Sequence, residues 1–153
     1  MYRKVIKYTD YNGNEREEPF YFNMNKAEIV KWQIEVNGGL KNSLQAAIDA
    51  HDQRVLTRVF DDMIRRSYGE KSPDGKYFMK NEEILNHFTC TEAYSVLFME
   101  LGSDDLAADA FVKGILPEDM VREAEEEAKK QIEEKKAKES NHENNNQGIS
   151  VVK

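Results

Sequence analysis

The chain contains one cysteine, Cys90, among 153 residues. A single thiol cannot close an internal disulfide, which excludes the stapled scaffolds of small secreted domains and fits a reducing compartment. Long apolar runs are missing as well. No stretch approaches the roughly 20 apolar residues that a membrane helix needs, and the start, Met1-Tyr2-Arg3-Lys4-Val5-Ile6-Lys7, lacks the apolar run of a signal peptide. The expectation is a soluble protein that stays where it is made and has no membrane partner. Basic charge is the minority: 22 Lys and Arg face 29 Asp and Glu, a net charge of −7. Such a field repels a phosphate backbone, so a nucleic-acid partner is not expected despite the local pair Arg65-Arg66.

The chemistry that would announce an enzyme is also absent. There is no G-x-S-x-G elbow, no phosphate loop and no dinucleotide fingerprint, and Gly38-Gly39 follows a helical pattern rather than a strand. His87 and Cys90 lie three residues apart, but two ligands do not make a zinc site and no second pair exists. They read instead as a partly buried histidine and a core thiol. The paired acids Asp61-Asp62, Glu82-Glu83 and Asp104-Asp105 fall where helix surfaces and N-termini favour acids. The reading is of a non-enzyme with no catalytic residue, no metal and no cofactor.

What remains is apolar pattern. Only 39% of the residues are hydrophobic and 33% are charged, against about 45–50% and 25% in ordinary domains. The deficit lies in the last quarter, so one modest core with a polar tail is expected. Tyr2–Tyr11 and Glu18–Asn23, rich in aromatic and β-branched residues, read as strands joined through a tight turn at Asn12-Gly13. Pro19, without a backbone donor, marks an edge strand or its beginning. A helix over 26–36 follows, capped by Asn25 with Glu28 reaching back and stopped by Asn37-Gly38-Gly39.

The clearest period lies in 40–67, where Leu40, Leu44, Ile48, Val55, Val59 and Met63 form one stripe. This is one long helix or two joined near His51-Asp52. Ser72-Pro73-Asp74-Gly75 is a turn, and Tyr77-Phe78-Met79 an extended stretch beneath the helices. Further helices begin at Asn81, after a Thr89–Glu92 capping box, and at Ser103, the last carrying Leu106, Ala107, Ala110, Phe111 and Ile115 to Gly114.

From Glu118 to Glu139 there are nine acids and six bases, acids early and lysines late, which suits the helix dipole. The fold class expected is α+β, mainly α: an N-terminal β-hairpin packed on a small helical bundle over 1–117, a projecting charged helix over 118–139, and a disordered tail over 140–153. Tyr94, Phe98 and Met99 crowd one short helix. Core packing accounts for them, and the functional alternative is a plastic face for a client's apolar helices, with Met99 off the main face. These three are the candidate protein-binding residues.

The order of motifs resembles the tail assembly chaperones of long-tailed bacteriophages of Gram-positive hosts. The resemblance is carried by Tyr8-Thr9-Asp10-Tyr11-Asn12-Gly13, Phe20-Tyr21-Phe22-Asn23-Met24-Asn25-Lys26-Ala27-Glu28, Ser67–Gly75, Thr91–Leu101 and Phe111-Val112-Lys113-Gly114-Ile115-Leu116-Pro117. It implies a protein of the host cytoplasm that binds the tape measure protein while the tail tube assembles, with the tail tube protein and a second copy of the chain as further partners. A structural tail or connector component of the virion is the alternative. The family brings no catalytic motif, and no residue role is carried over from it.

Overall fold

The computed structural model describes residues 1–147; the side chains of Leu40, Leu44 and residues 141–147 lie outside that description. The chain divides after Pro117 into two compact units. Among the described residues the first holds four strands and six helices: β1 (Tyr2–Thr9), β2 (Glu15–Phe22), α1 (Lys26–Glu35), α2 (Leu40–Asp49), α3 (Gln53–Ser67), β3 (Tyr68–Lys71), β4 (Phe78–Met79), α4 (Glu82–Thr89), α5 (Glu92–Ser103) and α6 (Asp105–Ile115). The second unit holds α7 (Glu118–Gln147). The protein is α+β and mainly helical, as the sequence implies.

The hairpin is part of something larger. The strands form an antiparallel sheet in the order β1-β2-β3-β4, so the stretch expected beneath the helices supplies its last strand. β3 meets β2 only at Tyr21 and Phe22. At Pro19, opposite Val5, the flank away from β1 therefore carries no strand, and the missing N–H is tolerated there. The β1–β2 turn is also longer than the tight one expected: it spans residues 10–14, and only Gly13 takes a positive φ, of 83°. Asp10 organises it. Its carboxylate accepts from the backbone N–H of Asn12 and Asn14, both at 2.9 Å, and from Arg16 Nε at 2.8 Å. The Asn14 backbone bond, then Arg16, pull its pKa down to about 2.

The inner face of β1–β2 carries Ile6, Phe20 and Phe22, all buried. Phe22 is fully enclosed and lies 5.3–6.4 Å, centroid to centroid, from Tyr2, Tyr68, Phe88 and Phe111. Around these rings pack Met24, Ile64, Leu97, Leu101 and Ile115. Alternation along the strands puts the aromatics on one face, and the periods of α4, α5 and α6 bring Phe88, Leu97 and Phe111 to meet them. Lys80 ties the layers at one corner: its ammonium donates to Asn23 O at 2.6 Å, Glu28 Oε1 at 2.8 Å and Arg66 O at 2.8 Å. Every ammonium proton has an acceptor.

Several local expectations hold. Asn25 and Glu28 form a reciprocal capping box, Asn81 caps α4, and Ser72–Gly75 turns with Gly75 at φ 73°. Of the two alternatives for residues 40–67, the structure has two helices, with His51 at φ 54° breaking the chain between them. Other expectations are corrected. The α5 N-cap is Thr91, whose hydroxyl donates back to Phe88 O, so no Thr89–Glu92 box forms.

Asp104 rather than Ser103 caps α6, accepting from Leu106 and Ala107 N–H, while Ser103 Oγ bonds back to Met99 O. Leu106, one of the apolar residues this helix was expected to carry, is 83% exposed, because residue 106 is the second of the helix and Ala108, Phe111 and Ile115 set the buried face. Gly114 lies within α6 instead of closing it. α7 continues past Glu139 to Gln147, into the segment expected to be disordered, and 148–153 lie outside the described residues.

Gly114 has a packing role. A Cβ built there falls 2.9 Å from Tyr2 Cβ and closer to its ring, and Tyr2 itself lies edge-on to Phe111 at 5.4 Å. Gly114→Ala must displace the start of β1. Overpacking of this kind costs about 1–3 kcal/mol, offset in part by the better helix propensity of alanine. The expected result is a lowered thermal midpoint by circular dichroism, with Gly102→Ala, where nothing lies within 4 Å, unchanged or raised.

Candidate functional site

Two apolar surfaces compete for the role of a protein-binding site. The first is the α5 face chosen from sequence. Tyr94 is half-buried and its hydroxyl donates to Asp61 Oδ1 on α3. Asp61 is also held by Arg65 Nε at 3.0 Å, and the Arg65 guanidinium sits 5.4 Å over the Tyr94 ring. Tyr94 packs edge-on to Phe88 at 5.8 Å and stacks with Phe98 at 6.1 Å. These contacts fasten α5 to α3 and α4. Met99 stands apart from the pair, 64% exposed, with Val96 one turn before it at 40%. The structure brings Tyr94 and Phe98 together and leaves Met99 on the open side.

The second surface was not legible as a site in the sequence. α1, α2 and α3 enclose a groove of about 560 Å³, within the range of about 300–1,000 Å³ common for ligand sites. Trp32, Ala47 and Val59 form its buried floor. Val36, Ala46, Ala50 and Val55 line its sides, and Ser43, Asp52, Arg58 and Asp62 its polar parts. Small side chains on α2 and at its C-cap leave this space open, since Ala46, Ala47 and Ala50 fill far less volume than the leucines of a closed helix pair. The Arg66 guanidinium covers Trp32 at 5.2 Å and pairs with Glu35 at 2.7 Å, which holds the indole in place. The signal available in the sequence was the run Ala46-Ala47 with Ala50, opposite the bulkier α3 stripe.

The residues considered for chemistry do not converge. His87 and Cys90 are both exposed, contrary to the expectation of burial, because the α4 inner face is taken by Phe88. His51 lies at an exposed helix junction. The side chain of His142 lies outside the described residues. Among the described residues no group of three or more His, Cys, Asp and Glu has a metal-site arrangement, and no helix is long and apolar enough to cross a membrane.

Four tyrosines are raised above their ordinary value, and the shift is large for two of them. Burial, then the Asp61 carboxylate, pushes Tyr94 up to about 12. Burial, then the charge of Glu70, does the same for Tyr68. A phenol raised above its ordinary 10.0 favours folding while protonated. Its contribution is whole below pH 10 and disappears as pH rises towards 12. Chemical denaturation between pH 9 and 12 is expected to show a fall in stability over that window, and Tyr94→Phe a shallower fall. A slope unchanged by Tyr94→Phe would contradict the assignment.

A family model described as phage tail assembly chaperone matches residues 1–151. No curated protein and no solved structure matches the chain. The match spans the whole order of elements, from the first strand through α7, and on that extent the chain belongs to the phage tail assembly chaperone family.

Proposed function

We propose that the chain is a non-catalytic holder of the tape measure protein in the host cytoplasm, and that the groove between α1, α2 and α3 receives apolar helical segments of that client while the tail tube assembles. The family supports the chaperone role. The observation that carries the finer reading is the groove itself: an apolar trough floored by the only tryptophan in the chain and rimmed with Asp52, Arg58 and Asp62. Helices of a client dock in such troughs through side chains at i, i+3, i+4 and i+7. Its alanine wall and aromatic floor demand shape and apolarity but no particular sequence, which suits a chaperone for a long repetitive partner. In this reading Tyr94 and Phe98 brace α5, and Met99 offers an accessory contact.

Trp32 reports on the site without a label. Titrating the protein with helical peptides from the tape measure protein of the same phage is expected to give a saturable change in Trp32 emission. Ala46→Glu, at an exposed position on the groove wall, puts a charge against the docked apolar face and is expected to weaken binding about tenfold or more, a difference of about 1.4 kcal/mol. Met99→Ala is expected to stay within about threefold. Flat emission together with no heat of binding in calorimetry would refute the reading.

A further inference from the structure

α7 is a helix without an apolar face large enough to hold it on its own, and its charge is arranged lengthwise. From Arg122 to Ser140 every residue is exposed. A polar helix of 30 residues, about 45 Å at 1.5 Å per residue, depends on its own i,i+4 pairs or on a partner. One narrow line breaks the polarity: Ala124, Ala128 and Ile132 continue from the half-buried Val121 at spacings of three, four and four, and Ile132 is 54% exposed. At 100° per residue these positions share one side. The charges divide about this line's midpoint. Residues 118–128 carry six acids and one base, net −5; residues 129–139 carry five bases and three acids, net +2.

We propose that α7 pairs with α7 of a second copy of the chain, antiparallel and centred near Ala128. A parallel pair would set −5 beside −5 and +2 beside +2, whereas the antiparallel pair sets each acidic half against a basic half. The register follows from the seam. With Ala128 near the two-fold axis, Ala124 lies level with the second copy's Ile132, so a small side chain faces a large one at both ends. On one flank Glu125 lies beside the second copy's Lys129 and Glu118 beside its Lys136, and the symmetry repeats both pairs. Alanine at the centre allows the backbones a close approach. The seam is short, so the association is reversible and weakens as salt screens the flanking pairs.

The test uses the full chain in a Cys90→Ser background, which removes the single native thiol. Single cysteines are placed at Ala128→Cys, at the proposed axis, and at Glu139→Cys. Residue 139 lies on the same side of the helix as 128, since eleven residues return to within about 20°, but sits about 16 Å along it. A disulfide needs Cα atoms about 4.4–6.8 Å apart. Under mild oxidation the antiparallel pair is expected to give a covalent dimer from Ala128→Cys and monomer from Glu139→Cys. Sedimentation equilibrium of the unmodified chain is expected to show a dimer whose fraction falls with salt and falls at least tenfold in Ile132→Asp. Crosslinking at both positions would establish a parallel pair and overturn the proposal. Crosslinking at neither, with a monomer in sedimentation, would overturn it as well.

Discussion

Phe22 is the point on which the first unit closes. It sits at the end of β2, fully enclosed, with rings from β1, β3, α4 and α6 around it. Those partners come from residues 2, 68, 88 and 111, so a single side chain enforces contacts spanning nearly the whole of the unit. The backbone beside it is committed in the same way: Asn23 N–H donates to Ser67 O and Met24 N–H to Ile115 O. Removing a buried aromatic of this kind typically costs about 3–5 kcal/mol, a large share of the stability of a domain this size. The charged composition follows from this economy of core. With few large apolar side chains, the fold gathers its aromatics in one place and finishes the corners with ion pairs such as Lys4–Glu100 and Lys80–Glu28.

Local chemistry was legible where a residue acts on its own neighbours. Asn25 with Glu28, Asn81, and Ser72 to Gly75 each satisfy backbone groups within a few positions, and period and capping rules find them. Reasoning from sequence missed what depends on distant partners. Tyr68–Lys71 becomes a strand only because the end of β2 offers it an edge. Lys80 is an unremarkable lysine in sequence and a three-way tie in space. Gly114 reads as a helix stop, and its actual reason is the ring of Tyr2, more than a hundred residues away. Thr89 and Ser103 failed as caps for a narrower reason: the N-cap positions fall on Thr91, whose hydroxyl bonds back to Phe88 O, and on Asp104, whose carboxylate reaches the free N–H groups.

The candidate binding surfaces show the same divide. Tyr94, Phe98 and Met99 stand out by composition, yet the first two are engaged within the fold and only Met99 faces outward. The apolar walls of the α1–α3 groove are alanines and valines, which do not stand out in sequence, and Trp32 on its floor reads there only as part of the α1 apolar spacing. Two of the groove's walls are α2 and α3, separated where His51 takes a positive φ at the junction the sequence marks as a candidate break. A groove of small side chains tolerates varied apolar partners, as the proposed binding of a helical client requires.

Hydrogen–deuterium exchange of the protein with and without the tape measure protein tests the central claim most directly, because it maps the holding surface without presupposing it. The account predicts slowed exchange concentrated in α1, α2 and α3, across Trp32, Ala47 and Val59, with α4 and α6 little changed. Protection confined to α5 around Met99, or absent from residues 26–67 altogether, would contradict it.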